Sequence, residues 1–325
     1  MRRLKRRLKR CATLILALAL PAAPIAAGEP VLSLPIDCTL GETCYIQNYV
    51  DRAPGPDARD FTCAGLSYDG HKGTDIGLPT LSDMRRGVDV LAAAPGIVRG
   101  LRDGVADVGP NATTQGKECG NGVVLRHDDG WETQYCHMKS GSLRVQKDQR
   151  IERGDVLGQV GLSGKTEFPH IHLSVRKDGK VVDPFGLSAL ATCGEGGKSL
   201  WQDTPEYTPG GLLDAGFAPG VPDYGAVRDG TAGKSILAGN AAGLVLYGFG
   251  YGAQKGDVMD MQITGPTGVF LTQSIALEKD QAQFFRATGR RLTKTHWPTG
   301  RYTGTVTLRR GSTILGERLV QMSVE

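Results

Sequence analysis

Apolar residues along this chain come in short alternating runs separated by Gly, Asp and Pro, the arrangement expected of strands joined by turns. Residues 121–137 (NGVVLRHDDGWETQYCH) alternate on both sides of Asp128-Asp129-Gly130, and residues 170–183 (HIHLSVRKDGKVVD) on both sides of Lys177-Asp178-Gly179-Lys180. Each predicts a hairpin, because Asp-Gly readily supplies the positive φ of a tight antiparallel turn. Residues 88–100 (VDVLAAAPGIVRG) predict two strands meeting at Pro95-Gly96, and residues 154–161 (GDVLGQVG) a short strand between glycines. The sum is a mostly β, antiparallel domain over about residues 60–190. Farther on, residues 243–247, 258–263, 302–308 and 318–324 alternate at strand period, which predicts a small C-terminal β-sandwich. Between the two, residues 194–232 are rich in Gly, Pro and Asp with little periodicity and predict a long connection.

The first 27 residues have a different pattern. Seven basic residues precede an apolar run from Cys11 to Leu20, followed by small residues up to Ala26-Ala27, the layout of a cleaved export signal. The apolar run is about half of the ~20 residues a membrane span needs, and Pro21 and Pro24 interrupt its end, so no transmembrane anchor is expected after cleavage. Expected divisions are therefore 1–27 signal, 28–60 N-terminal extension with a disulfide, 61–193 first domain, 194–232 linker and 233–325 sandwich. The signal holds seven of the 38 basic residues, leaving 31 against 34 acidic ones, near −3. The basicity belongs to the signal, and nothing remains that asks for nucleic acid.

Six cysteines follow the signal: Cys38, Cys44, Cys63, Cys119, Cys136 and Cys193. None has CxxC spacing, and an even number in an exported chain reads as disulfides with 15 possible connectivities. Cys38 with Cys44 is the favoured local pair, and Cys119 with Cys136 flanks one predicted hairpin. Cys63 with Cys193 then follows by elimination. Together they place the chain in the periplasm or outside the cell.

Five of the six histidines fall in the first domain, and two spacings carry chemistry. His170-Ile171-His172 lies in a predicted strand, so both imidazoles leave the same face; alone, such a pair is more often a solvated strand face. His71-Lys72-Gly73-Thr74-Asp75 places an imidazole and a carboxylate four apart around a flexible Gly73. Zinc takes nitrogen and carboxylate ligands, and catalytic sites keep three protein ligands plus an open position.

The ordered conjunction of His71 to Asp75, Tyr135-Cys136-His137 and His170 to His172 resembles the lysostaphin-type peptidoglycan endopeptidases, with Ala92 to Val98 and the glycine-framed 154–164 matching their surroundings. The resemblance covers about residues 65–185. It implies one zinc per chain on His71, Asp75 and His172, with His137 and His170 as catalytic histidines, and hydrolysis of peptide bonds in peptidoglycan cross-links or stems by activated water. His127 is read as structural or as a support to the ligands, and His296 as a structural or surface residue. The flanks of the HxH depart from the family pattern, since Lys165-Thr166-Glu167-Phe168-Pro169 precedes it and Leu173 follows, which bears on the groove and not on the metal set. Ser163 and Cys136 are the alternative nucleophiles by proximity in sequence; Cys136 is assigned instead to a disulfide, and strand alternation points its side chain away from the His137 imidazole. The alternative function is a catalytically silent family member that binds peptidoglycan or activates another wall hydrolase. A third reading keeps the peptidase but gives it another target. The sandwich could contact the wall or a protein partner.

Overall fold

The computed structural model describes residues 28–110, 114–187, 192–194 and 197–325. The signal expected over residues 1–27 lies outside the described residues. The first half contains β1 (Tyr45–Asn48), β2 (Thr74–Gly77), a short helix α1 (Leu81–Arg86), β3 (Asp89–Leu91), β4 (Gly96–Arg102), β5 (Asn121–Arg126), β6 (Trp131–Met138), β7 (Arg150–Ile151), β8 (Val156–Gln159), β9 (His170–Lys177) and β10 (Lys180–Val182). The main sheet runs β1-β2-β9-β6-β5-β4-β7 with β10 beside β9, while β3 and β8 pair separately; every pairing is antiparallel. Both predicted hairpins form. Asp129 and Gly130 turn at φ 51° and 73°, and Asp178 and Gly179 at 51° and 76°, the doubly positive φ that matches the twist of the flanking strands.

One face of the main sheet, including Ile76, Ile171, Leu173 and Tyr135, packs on Val90 and Leu157 of the two-stranded ribbon and on Leu32 and Ile36 from the N-terminal stretch. The stretch before residue 61, expected as a separate extension, is thus part of this half. Its β1 forms the edge of the main sheet beside β2. Four residues are too few to give a period-two signal, and the polar Gln47, itself buried, interrupts the apolar run. Disulfides join Cys38 to Cys44 and Cys119 to Cys136, the two pairs preferred from their places in the sequence, and Cys63 to Cys193, the pair left by elimination.

The second half contains β11 (Gly211–Ala218), α2 (Tyr224–Asp229), β12 (Ile236–Leu237), β13 (Gly243–Ala253), β14 (Val258–Gly265), β15 (Gly268–Ala276), β16 (Gln281–Arg291), β17 (Gly300–Arg310) and β18 (Thr313–Val324). They form one sheet ordered β11-β13-β16 and another ordered β12-β18-β17-β14-β15. Their facing sides bury Leu244, Leu246 and Phe284 against Met259, Met261 and Val306, which makes this half a β-sandwich. The expected linker 194–232 is corrected here. Leu200 and Trp201 return to the first core, and β11 pairs along β13 from Gly211 to Ala218. Its Leu212 and Phe217 enter the sandwich core while Leu213 enters a different cluster. Burial on both faces removes the polar-apolar alternation that would have marked it as a strand.

That different cluster is where the halves meet. Every residue of β13 is buried. In Tyr247-Gly248-Phe249-Gly250-Tyr251 the aromatics face Tyr45, Leu213 and Val227, and the glycines face the sandwich, where a Cβ on Gly248 would lie 2.7 Å from Val306. Tyr45 meets Tyr251 at 4.4 Å between ring centroids, and its hydroxyl accepts from Gln283 Nε2 at 2.8 Å. Arg85 of α1 pairs with Asp229 of α2 at 2.8 Å. No helix among the described residues is long and apolar enough to cross a membrane.

Candidate metal centre and active-site cleft

Asp75 on β2 lies directly opposite His172 on β9, and Gly77 lies opposite His170. Directly opposed residues of an antiparallel pair share a face, so Asp75, His170 and His172 stand together on the side away from Ile76 and Ile171. His71 enters from the turn before β2, and its Nε2 lies 3.1 Å from an Asp75 carboxylate oxygen and 3.2 Å from His172 Nδ1. His172 Nδ1 in turn lies 2.7 Å from the other Asp75 oxygen. These spacings approach the roughly 3.3 Å between neighbouring ligand atoms of a zinc tetrahedron. His71 Nδ1 donates to the Tyr49 carbonyl at 2.7 Å, which turns the Nε2 lone pair inward. Three lone-pair-bearing atoms aimed at one point repel unless a proton or cation sits among them, and the donor set suits zinc.

Gly73 has a steric role here. A Cβ at this position would lie 2.5 Å from His172 Nε2 and 2.6 Å from the Leu173 carbonyl oxygen, so only glycine lets the turn press against the back of the His172 ring. Asn48, on the edge strand β1, donates to an Asp75 carboxylate oxygen at 3.1 Å.

His137, His170 and His172 also bring ring nitrogens within 4.8 Å of one another. His170 Nδ1 donates to the Phe168 carbonyl at 2.9 Å and lies 3.1 Å from the Thr166 hydroxyl, while Phe168 stacks on the ring at 4.3 Å. His137 Nδ1 donates to the Ser163 carbonyl at 2.9 Å. The carbonyls thus fix a proton on Nδ1 of both rings and turn each Nε2 toward the site, where His170 Nε2 lies 3.3 Å from an Asp75 carboxylate oxygen.

His137 reaches this position by breaking the alternation of β6. Tyr135 points into the core, and Cys136 pairs opposite His172, which places it on the site's face. Strict alternation would turn His137 to the core face. Its backbone instead adopts φ 65°, the left-handed region that costs a β-branched-free but bulky residue about 1–2 kcal/mol, and its ring lies 4.7 Å from His170. The expectation that Cys136 points away from the imidazole is corrected by this local turn.

Burial and charge then divide the histidines. Burial lowers His71, but Asp75 beside it outweighs that and leaves it raised. Burial also works against the Asp75 carboxylate, yet His71 and His170 hold it well below the usual range. Burial, followed by His170 and His172, pushes His137 well below the ordinary histidine value. Burial also lowers His172, against the opposing hydrogen bond it makes to the Asp75 carboxylate.

Other histidine-rich and nucleophile positions have structural roles. His127 Nδ1 donates to the Pro95 carbonyl at 2.7 Å and Nε2 lies 2.9 Å from the Thr133 hydroxyl. Tyr135 accepts from the Ala93 amide at 2.8 Å, so this chain of contacts ties the Ala92 to Gly96 turn to the sheet on the core side. Ser163 is fully occupied. Its hydroxyl donates to the Met138 carbonyl at 2.7 Å and accepts from the Asn121 amide at 2.9 Å. Cys136 is in a disulfide, and His296 is exposed on the sandwich half. Asn48, Thr166 and Phe168, with the carbonyls of Tyr49 and Ser163, are the site groups that motif spacing does not reveal.

The site opens into a cleft of about 950 Å³ whose walls come from both halves. Tyr68, His137 and His170 line one side, and Tyr224, Arg228 and Gln283 line the other.

Residues 69–184 match the model of Peptidase family M23, and this segment holds all five clustered site residues. Over this segment the chain is similar to that family. A DD-carboxypeptidase/endopeptidase, Mpg, of Neisseria meningitidis is 33% identical over 107 residues, covering 32% of this chain and 23% of that protein. The peptidoglycan DD-endopeptidase ShyA of Vibrio cholerae is 29% identical over 113 residues, covering 35% of this chain and 22% of that protein. The chain therefore spans less than a quarter of the length of these relatives. Among solved structures, the catalytic domain of the antimicrobial peptidase lysostaphin from Staphylococcus simulans aligns with a TM-score of 0.27 and 20% identity, covering 42% of this chain and 85% of that one.

Proposed function

We propose that this chain is an exported zinc endopeptidase that hydrolyses peptide bonds in the cross-links or stems of peptidoglycan, with His71, Asp75 and His172 holding one zinc and His137 and His170 handling protons. The observation that carries this reading is the convergence of His71, Asp75 and His172 on one point, beside two more imidazoles whose Nε2 atoms face the site. When bound, zinc supplies Lewis-acid polarisation of a peptide carbonyl and lowers the pKa of a water toward about 7.

The protein's own residues supply the rest. Tyr49 fixes the His71 tautomer and Asn48 orients the Asp75 carboxylate, so the ligands are held before a metal arrives. Neutral His137 takes the proton from the attacking water as oxygen bonds to the carbonyl carbon, and returns it to the departing amine as the C–N bond breaks. His170 Nε2, tied in place by Phe168 and Thr166, faces the developing tetrahedral carbon and shares this proton. No protein nucleophile is needed, since Ser163 and Cys136 are both occupied. Relatives named for peptidoglycan cleavage support the substrate, and three disulfides support an oxidising compartment.

Elemental analysis of the oxidised protein should find about one zinc per chain, lost in His71→Ala and His172→Ala, and the loaded parent should release peptides from purified wall. A folded parent that binds zinc but cuts no wall or cross-bridge peptide would leave the chain as a silent wall-binding member.

A further inference from the structure

The sandwich is fixed beside the catalytic half and completes its cleft. Besides the Tyr45 contacts, Gln47 Nε2 donates to the Ala282 carbonyl at 3.0 Å. The wall opposite the histidines is built by α2 and by the segment that enters β16. Three cations line the cleft, Lys165 from the first half and Arg228 and Lys279 from the second. Two carboxylates besides Asp75 do so, Glu167 and Asp280, and Asp280 is engaged by the Lys255 amide at 2.7 Å.

Arg228 is the best placed of the three cations. Its guanidinium lies 5.8 Å over the Tyr224 ring, which holds the plane steady. One nitrogen, Nη2, donates to the Glu167 carbonyl, three residues before His170. A guanidinium offers five N–H donors in a fork that fits a carboxylate with two parallel bonds, and this one is half-buried at the mouth of the catalytic cleft.

We propose that the sandwich wall is a substrate subsite that binds a carboxylate of an acidic peptide through Arg228, with Lys279 and Lys165 adding positive charge at the rim. The proposal rests on the wall-peptide reading of the cleft and deepens it, because a stem peptide with free carboxylates is a ligand of this chemistry. It makes the second half a determinant of substrate choice.

The test uses the full chain and two soluble stem peptides, one with free carboxylates and one with them amidated. Direct binding is titrated for the parent, Arg228→Ala, Arg228→Lys and Lys279→Ala, with zinc content and melting temperature measured alongside. The parent should bind the carboxylate form about tenfold more tightly. Arg228→Ala should erase that preference while keeping zinc and melting temperature, Arg228→Lys should keep part of it, and in turnover the loss should fall on KM more than on kcat. Equal binding of both peptides by the parent overturns the proposal. So does an Arg228→Ala loss that is the same for both peptides and falls on kcat, since Arg228 would then only position the loop before His170. Arg228-dependent binding by a zinc-loaded parent that cuts neither peptide would sustain the subsite and reject the hydrolase.

Discussion

At the scale of single residues, the site depends on small choices next to the ligands. Gly73 is the clearest, because any side chain there would collide with both His172 and the Leu173 backbone. Gly73→Ala is expected to lower zinc occupancy and cut wall digestion by more than about tenfold, as a misplacement of the order of 1 Å can cost about a hundredfold; zinc content and digestion measured on the same sample check this. His137→Ala should behave differently. In the proposed roles it is a proton carrier and not a ligand, so zinc should stay while activity falls by roughly 10²–10⁴. The motif residues were legible because His, Asp and a strand period of two are written in side chains. Tyr49 and Ser163 were not, because each contributes only a backbone carbonyl, which every residue possesses. Asn48 lies 27 residues before Asp75, and only strand pairing brings them together.

At the scale of elements, the end of β6 carries the most information. Cys136 is bonded to Cys119, the Cys119 carbonyl accepts from the His137 amide at 2.8 Å, and the left-handed His137 lies between this anchor and Ser163. Closing a loop of this size constrains the unfolded chain by about 3 kcal/mol. The Cys119→Ser, Cys136→Ser double variant should lose stability of that order in urea, and its activity should drop further than its zinc content as His137 relaxes from its strained backbone. In the sandwich, Asp257 sits in the turn before β14, with both oxygens paired to Arg310 of β17 at 2.8 Å. Burial raises its pKa, but Arg310 and the Gln254 amide outweigh this and leave it lowered. A carboxyl depressed in the folded state stabilises above its unfolded pKa and loses that contribution as pH falls. The stability gap between the parent and Asp257→Asn should be full above about pH 5 and shrink below about pH 4, as read by urea unfolding at each pH. Hairpins at the two Asp-Gly turns were readable because turn chemistry is local. β11 was not, since burial on both sides erased its alternation.

At the scale of the whole molecule, β13 unites the two halves, with Leu244 and Leu246 in the sandwich and Tyr247, Phe249 and Tyr251 against the catalytic half. Phe249→Ala should cost about 3–5 kcal/mol and split one thermal transition into two, as followed by calorimetry. The fragment 233–325 lacks β11, whose Leu212 and Phe217 complete the sandwich core, and it should fail to fold on its own. The amino-acid sequence by itself determined the strand-rich class, the two hairpins and the five clustered side chains with chemistry, because these follow from local periodicity, turn residues and motif order, while for the cysteines it gave only a preferred pairing among 15. Tertiary structure alone decided that residues before 61 complete the main sheet, that the expected linker holds a strand, and that the sandwich walls the cleft. Those outcomes depend on which buried faces meet, a property of contacts such as Tyr45 with Gly77, Gly211 with Tyr251 and Gln47 with Ala282 and not of any one stretch of chain.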